Sequence, residues 1–202
     1  MPSYYTPDPA RAQQFARDLG GVLSDIFSAS ARATGQKLGV SAWEWLDEKT
    51  GEYAGTRGAE VVGMRWTGEP WKSDLVENPD SKWSITDTTR ERVNEMLVEA
   101  EEAGISTREF AVRMRDSGLF TEERAEMVAR TEEAIAENRG QTTTFRELGF
   151  THVDVMDGDE DDDCAEANGA VWTLEEADAD PIGHPNCTRT FSPVVGEGEE
   201  EN

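Results

Sequence analysis

The sequence predicts an α+β fold: a helical body followed by a small antiparallel β-sheet, behind an extended N-terminal helix and arm. Two observations predict it. Helical periodicity with start and stop signals runs from Trp83 to Gly149. From Thr151 the period drops to two, Val153 and Val155 alternating with His152 and Asp154, as in a half-buried strand.

The elements follow in order. Residues 1 to about 8 are turn-rich, with Pro2, Pro7 and Pro9. From Ala10 an amphipathic helix is expected, because Phe15, Leu19, Val22 and Ile26 recur at helical spacing. Gly20-Gly21 weakens its middle. From Gly35 to about Ser81 glycines alternate with Trp43, Trp45, Trp66 and Trp71. Glu60 to Trp66 suits a strand, and the rest reads as loops and an extended arm. The tryptophans dock either on the main body or on another subunit; tryptophan is a favoured residue at interface hot spots.

Order returns at Trp83. Thr86 or Asp87 can cap a helix in which Val93, Met96, Leu97 and Ala100 form one apolar stripe, ended by Gly104. Ser106 with Glu109 is a capping box for a short helix stopped by Gly118. Thr121 caps a third, longer helix to about Leu148, with a break near Gly140 and Gly149 closing it. After the Val153 strand comes an acidic loop, Asp157 to Asp163, read as a solvated charge run. Asn168-Gly169 predicts a two-residue hairpin turn into a return strand, Ala170 to Thr173. A second acidic loop leads to Pro181, Thr188 to Phe191 form a last strand, and residues 196–202 are an acidic, disordered tail.

Composition narrows the function. The 202 residues carry 43 acids against 19 bases, a net charge of −24, and only Lys37, Lys49, Lys72 and Lys82 are lysines. Such a surface repels a phosphate backbone, so no strong intrinsic nucleic-acid binding is expected. It suits a basic partner or divalent cations, and equally a high-salt cytoplasm or an arginine-preferring genome. Mean hydropathy is −0.68, and no apolar run approaches the ~20 residues of a membrane span. The Met-Pro-Ser-Tyr-Tyr start has no signal-peptide pattern. A soluble chain made in a cytoplasm is expected. Two cysteines, Cys164 and Cys187, are too few for a disulfide framework and read as thiols or ligands.

Two constellations could carry chemistry. On the long helix, Ala125, Val128 and Ile135 define the expected buried stripe, and Thr131 and Glu132 fall inside it or at its edge. A carboxylate there needs a partner. Arg130 and Arg139 are the candidates, and a structural Arg–Glu pair is the preferred reading over a catalytic carboxylate. Near the C-terminus, Cys164, His184 and Cys187 are metal-type ligands, with Asp161 as a fourth, oxygen donor. That set approximates a structural zinc site. The same residues also suit a buried cysteine pair beside a turn, with His184 on the backbone, or a Cys/His hydrolase pair. The dense acids nearby would raise thiol pKa values and oppose the last.

The ordered pieces resemble the phage Mu F-like minor head protein family, also called phage head morphogenesis proteins. They are Trp-Ser-Ile-Thr-Asp-Thr-Thr-Arg (83–90), Glu-Ala-Gly-Ile-Ser (102–106), Ala129-Arg130-Thr131-Glu132, Asn138, Phe145 before Gly149, then Gly169, Trp172 and His184-Pro185-Asn186-Cys187. The resemblance spans roughly residues 83–195. It implies a minor capsid protein of a tailed virus, partnered with portal or major capsid protein. The expected location is the capsid interior or portal vertex, reached from the host cytoplasm during assembly. The implied roles are head assembly and genome packaging or delivery, with no shared catalytic activity. Relatives often carry cysteine where this chain has Asp161 and Arg189, which removes two thiols from any metal site. The resulting division is residues 1–80 as helix and arm docking on portal or capsid, 81–195 as the head morphogenesis domain, and 196–202 as the tail. The competing readings are a metal-stabilised adaptor and a cysteine-dependent hydrolase.

Overall fold

The computed structural model describes residues 9–40, 43–62, 64–66, 75–77, 121–158 and 161–195, with single positions between 89 and 117. Its elements are α1 (Pro9–Lys37), α2 (Leu46–Val61), β1 (Met64–Trp66), β2 (Leu75–Glu77), α3 (Glu122–Glu147), β3 (His152–Met156), α4 (Asp162–Ala167), β4 (Val171–Thr173), α5 (Leu174–Ala179) and β5 (Thr190–Pro193). The chain divides into two compact units. One holds Met1–Leu23 and Gly51–Glu126, the other Ser24–Thr50 and Met127–Asn202.

In the first unit, the start of α1 meets the body of α2 through small residues. A Cβ on Gly58 would lie 2.5 Å from the Ala16 carbonyl oxygen. That contact decides which face of α1 is inward. The buried positions are Ala16, Leu23, Phe27 and Ala31, whereas Phe15 is 46% and Val22 56% exposed. Of the expected Phe15–Leu19–Val22–Ile26 stripe, Phe15 and Val22 are therefore turned outward, while Leu19 and Ile26 are half-buried at the edge of the core. Side-chain size predicted the wrong face because close helix approach selects the smallest residues.

Helix α2 is a second correction. Residues 46–61, read as loop and arm, are helical. Gly51, Gly55 and Gly58 lower the intrinsic propensity, but Leu46, Ala54, Ala59 and Val61 are buried along it. Packing overrides propensity here. Of the expected Glu60–Trp66 strand, Glu60 and Val61 end α2 and Met64–Trp66 form β1, which pairs antiparallel with β2 in the register Arg65↔Val76. Trp71, the tail and most of the expected helices between 83 and 118 lie outside the described residues. The described positions Thr89, Arg92, Met96, Glu99, Glu109, Val112, Arg113 and Asp116 are helical, and Met96 is buried.

In the second unit, α3 runs unbroken through Gly140. Gly140 breaks nothing because it is a contact: a Cβ there would sit 2.6 Å from the Phe27 carbonyl oxygen and 3.0 Å from the Ala31 nitrogen. Ser30 Oγ donates to the Glu137 carbonyl at 2.8 Å beside it. Ala125 is exposed and Val128 half-buried, so the inward positions begin later, at Thr131, Glu132, Ile135 and Ala136. The helix ends as expected at Gly149, whose φ of 85° needs no Cβ. Gly149 N–H donates to the Arg146 carbonyl and Phe150 N–H to that of Phe145, a Schellman stop. Phe150 then packs edge-on against Phe145, 6.2 Å between centroids.

The sheet has the order β4-β3-β5, antiparallel throughout. Val153 and Val155 face inward as the alternation predicted and join Phe145, Ala167, Leu174, Ala177 and Phe191 in one core. The β3–β4 connection is not the expected two-residue hairpin. Helix α4 intervenes, and Asn168-Gly169 turns its end into β4. Asn168 has φ −63° and ψ 120° and Gly169 φ 80°, a type II turn rather than the primed turn of a hairpin. Both acidic loops contain helix. Asp161 caps α4, with Asp162 and Asp163 in its first turn. Thr173 and Glu176 form a capping box for α5. Acids cluster where helix N-termini attract negative charge. Strand β5 begins two residues later than expected, at Thr190.

Candidate metal centre

The C-terminal cysteines and histidine come together on two short segments. Asp161 Oδ1 accepts from the Cys164 N–H at 2.8 Å, which fixes Cys164 in the first turn of α4. The second segment is the His184-Pro185-Asn186-Cys187 turn, closed by Cys187 N–H to the His184 carbonyl at 3.1 Å. Asn186 takes φ 63° there, a conformation asparagine tolerates better than most residues. Helix α3 grips both flanks of the turn. Asn186 N–H donates to Thr131 Oγ1 at 3.3 Å. Asn138 Nδ2 donates to the carbonyls of Pro181 and Arg189, each at 2.8 Å. Thr131 and Asn138 thus act as positioning residues. Sequence reading placed Thr131 at the edge of a stripe and Asn138 only in a motif.

The thiols of Cys164 and Cys187 and a ring nitrogen of His184 all lie within 4.8 Å of one another, so this group could hold a metal ion. Three features of the residues fit one. His184 Nδ1 donates to the Pro185 carbonyl at 2.8 Å, because a carbonyl can only accept. That bond places a proton on Nδ1, so in the neutral imidazole Nε2 is the nitrogen available to a metal. Nε2 is buried and makes no hydrogen bond among the described residues, and it lies 3.8 Å from Asp161 Oδ2. Second, Cys187 Sγ accepts from the backbone N–H groups of Gly183 and Arg189, each at 3.4 Å, two bonds that fix the sulfur in place. Third, two sulfurs and an imidazole are a donor set suited to a borderline cation.

Without a metal, the surroundings of Cys164 oppose nucleophilic chemistry there. Burial pushes the Cys164 thiol up to about 12, helped by its hydrogen bond to Asp161 and by Cys187 and Asp157 nearby. A reactive thiol has the opposite environment. Asp161 is held below the ordinary aspartate range, chiefly by the Cys164 N–H, although burial opposes this.

Behind the cysteines lies a buried ionic cluster. Asp157 was expected in a solvated charge run, but its side chain is 0% exposed and Arg189 is 1% exposed, 2.7 Å apart. Asp157 Oδ2 accepts from Arg189 Nε, and its Oδ1 accepts from the Cys187 thiol at 3.4 Å. Arg189 also donates to Asp180 at 2.8 Å and lies 5.0 Å from the Trp172 ring centroid. Burial disfavours the guanidinium charge, yet the hydrogen bonds to Asp157 and Asp180 outweigh it and raise the Arg189 pKa. The sequence marks Arg189 only by its position two residues after Cys187. Nothing in the sequence distinguishes Asp157 from its acidic neighbours.

The other expected site residues are placed as follows. Glu132 is buried at 4% exposure, and Arg130 is exposed. Arg139 forms an ion pair with Asp178 at 3.0 Å. Asp178 also accepts from Thr142 Oγ1 at 2.7 Å and pairs with Arg146, so it ties α5 to α3. Trp43 and Trp45 are half-buried with ring centroids 6.0 Å apart, and Trp66 ends β1.

Fold and site together describe an α+β unit in which α3 holds the loops around a small sheet, with a buried ion pair and a thiol–imidazole group among those loops. The family model described as phage Mu protein F like protein matches residues 91–191, half of the chain, and the chain belongs to that family. It is a family of phage head-morphogenesis proteins, structural in character, and the match contains α3, β3, β4, the first half of β5 and the thiol–imidazole group. No curated protein and no solved structure matches the chain. No helix among the described residues is long and apolar enough to cross a membrane.

Proposed function

We propose that the chain is a minor capsid component that acts at the portal vertex or capsid interior of a tailed phage during head assembly, with a part in genome packaging or delivery. One observation carries this reading: the family match covers a contiguous segment that holds α3 and all of the sheet but the end of β5. Residues 81–195 then act as the head morphogenesis domain, and residues 1–80 dock on portal or major capsid protein. The half-buried Trp43–Trp45 pair is the kind of aromatic surface that anchors such docking, with Trp66 and Trp71 alongside it in the chain. The protein works by binding, without catalysis. Cys164, His184 and Cys187 hold a structural zinc, which would supply cross-linking of the two segments and no reaction.

The test is compositional. Mass spectrometry of purified proheads and mature particles should detect the chain, and co-expressed portal protein should co-purify with it. Its absence from both kinds of particle would overturn the reading.

A further inference from the structure

We propose that Asp161 is the fourth ligand of the centre formed by Cys164, His184 and Cys187, binding the ion through Oδ2 while Oδ1 keeps the Cys164 N–H. One carboxylate then both caps α4 and completes the coordination shell. This rests on the metal reading above and adds the identity of the ligand that closes it.

The two oxygens of Asp161 have separate surroundings. Oδ1 is 2.8 Å from Cys164 N. Oδ2 is 3.8 Å from His184 Nε2, a buried atom with no hydrogen-bond partner among the described residues. Ligand atoms around a tetrahedral zinc lie ~3.3–3.8 Å apart, given bond lengths of ~2.0–2.3 Å. An oxygen–nitrogen pair belongs at the lower end, ~3.3–3.4 Å, so the 3.8 Å Asp161–His184 separation closes by about 0.4–0.5 Å on binding. The thiol and imidazole atoms, within 4.8 Å of one another, close to that range by a contraction of about 1 Å.

Asp157 is the competing carboxylate, and the structure argues against it. Asp157 Oδ2 is taken by Arg189 Nε at 2.7 Å. Both side chains are essentially fully buried, so moving Asp157 to the ion would strip a buried guanidinium of its inward partner. Asp157 instead stays one layer out, its Oδ1 3.4 Å from Cys187 Sγ in a contact that the thiol proton makes only while no ion is bound. Asp161 is committed to the helix cap through Oδ1 and to no buried guanidinium among the described residues: its side chain is 47% exposed, and Oδ2 can turn toward the ion without breaking the cap. Two thiolates, one imidazole and one carboxylate make a four-coordinate site for a borderline divalent cation.

The experiment uses the full chain, stripped with a chelator and titrated with Co²⁺, whose thiolate charge-transfer and d–d bands report the ligands. The wild type should give a tetrahedral d–d spectrum with thiolate charge transfer. Asp161→Asn keeps the helix cap, because asparagine caps as well as aspartate, but replaces the anionic donor with a neutral amide. Its Co²⁺ affinity should fall at least ~10-fold, the loss that follows removal of even an outer-layer partner. Its d–d bands should also shift. Asp161→Cys should raise charge-transfer intensity by about half, as two thiolates become three. Far-UV circular dichroism checks that each variant folds. Unchanged affinity and spectrum in Asp161→Asn, with no gain in Asp161→Cys, would overturn Asp161 as ligand and leave the three-residue centre standing. A wild type that takes up neither Co²⁺ nor Zn²⁺, or a Cys187→Ser variant that keeps the wild-type spectrum, would overturn the centre and Asp161 with it.

Discussion

Arg189 shows how one side chain can hold several segments at once. It bonds Asp157 after β3 and Asp180 after α5, stacks on Trp172 of β4, and stands at the start of β5. Its two acidic partners differ in burial: the Asp157 side chain is 0% exposed and that of Asp180 is 56% exposed. The consequences of mutation should differ accordingly. Asp157→Asn leaves a charge buried without its inward partner and should cost about 3–5 kcal/mol. Asp180→Asn removes an exposed partner and should cost about 0–1 kcal/mol. Replacing Asp157 and Arg189 together by apolar residues should recover much of the loss, because the desolvation penalty disappears with the pair. Urea denaturation of the three variants checks the order. Equal costs for the two aspartates would show that burial does not set the strength of this cluster. The same contrast explains why Asp157 was illegible. Among Asp157, Asp159, Asp161, Asp162 and Asp163, nothing local separates a buried ion-pair partner from a helix cap.

At the scale of elements, small residues rather than large ones decide where helices lie. Gly140 of α3 meets the backbone of α1 at Phe27 and Ala31, with Ser30 beside it. Gly140→Ala places a Cβ 2.6 Å from a carbonyl oxygen, and backbone cannot move aside as a side-chain tip can. The expected cost is about 1–3 kcal/mol from overpacking, against a gain in helix propensity of about 1 kcal/mol. Gly21→Ala, at an α1 position with nothing within 4 Å, gains the propensity alone and should stabilise. Thermal unfolding of the two variants should therefore shift in opposite directions; a gain from both would place the α1–α3 contact wrongly. Helix starts and stops were legible because they are local. The Gly149 stop and the 3.6-residue period of α3 depend on a handful of consecutive residues. The inward face of α1 did not, since Ala16 and Ala31 are core positions only because another backbone approaches them closely.

For the whole molecule, charge is the dominant global property. A net charge of −24 over 202 residues makes the compact state repel itself, and salt screens that repulsion beyond about 10 Å at 0.1 M. The melting temperature should rise when sodium chloride increases from 50 mM to 1 M. A flat response would mean that the charges are already compensated locally. The family assignment also belongs to this scale. It rests on an order of motifs over residues 91–191, and no single piece of that order would carry it.

The sequence by itself determined the α+β class, the inward valines of β3, the stop at Gly149 and the family. Each of these follows from local periodicity, a local turn requirement or an ordered set of motifs. Only the tertiary structure decided that Gly51 and Gly58 lie in a helix, that α1 turns Ala16 rather than Phe15 inward, and that Asp157 and Arg189 form a buried pair. It also brought the Cys164, His184 and Cys187 ligand atoms within 4.8 Å. The physical reason is common to all of these. Burial, close backbone approach and charge pairing join residues far apart in the chain, and no local window of sequence contains both partners.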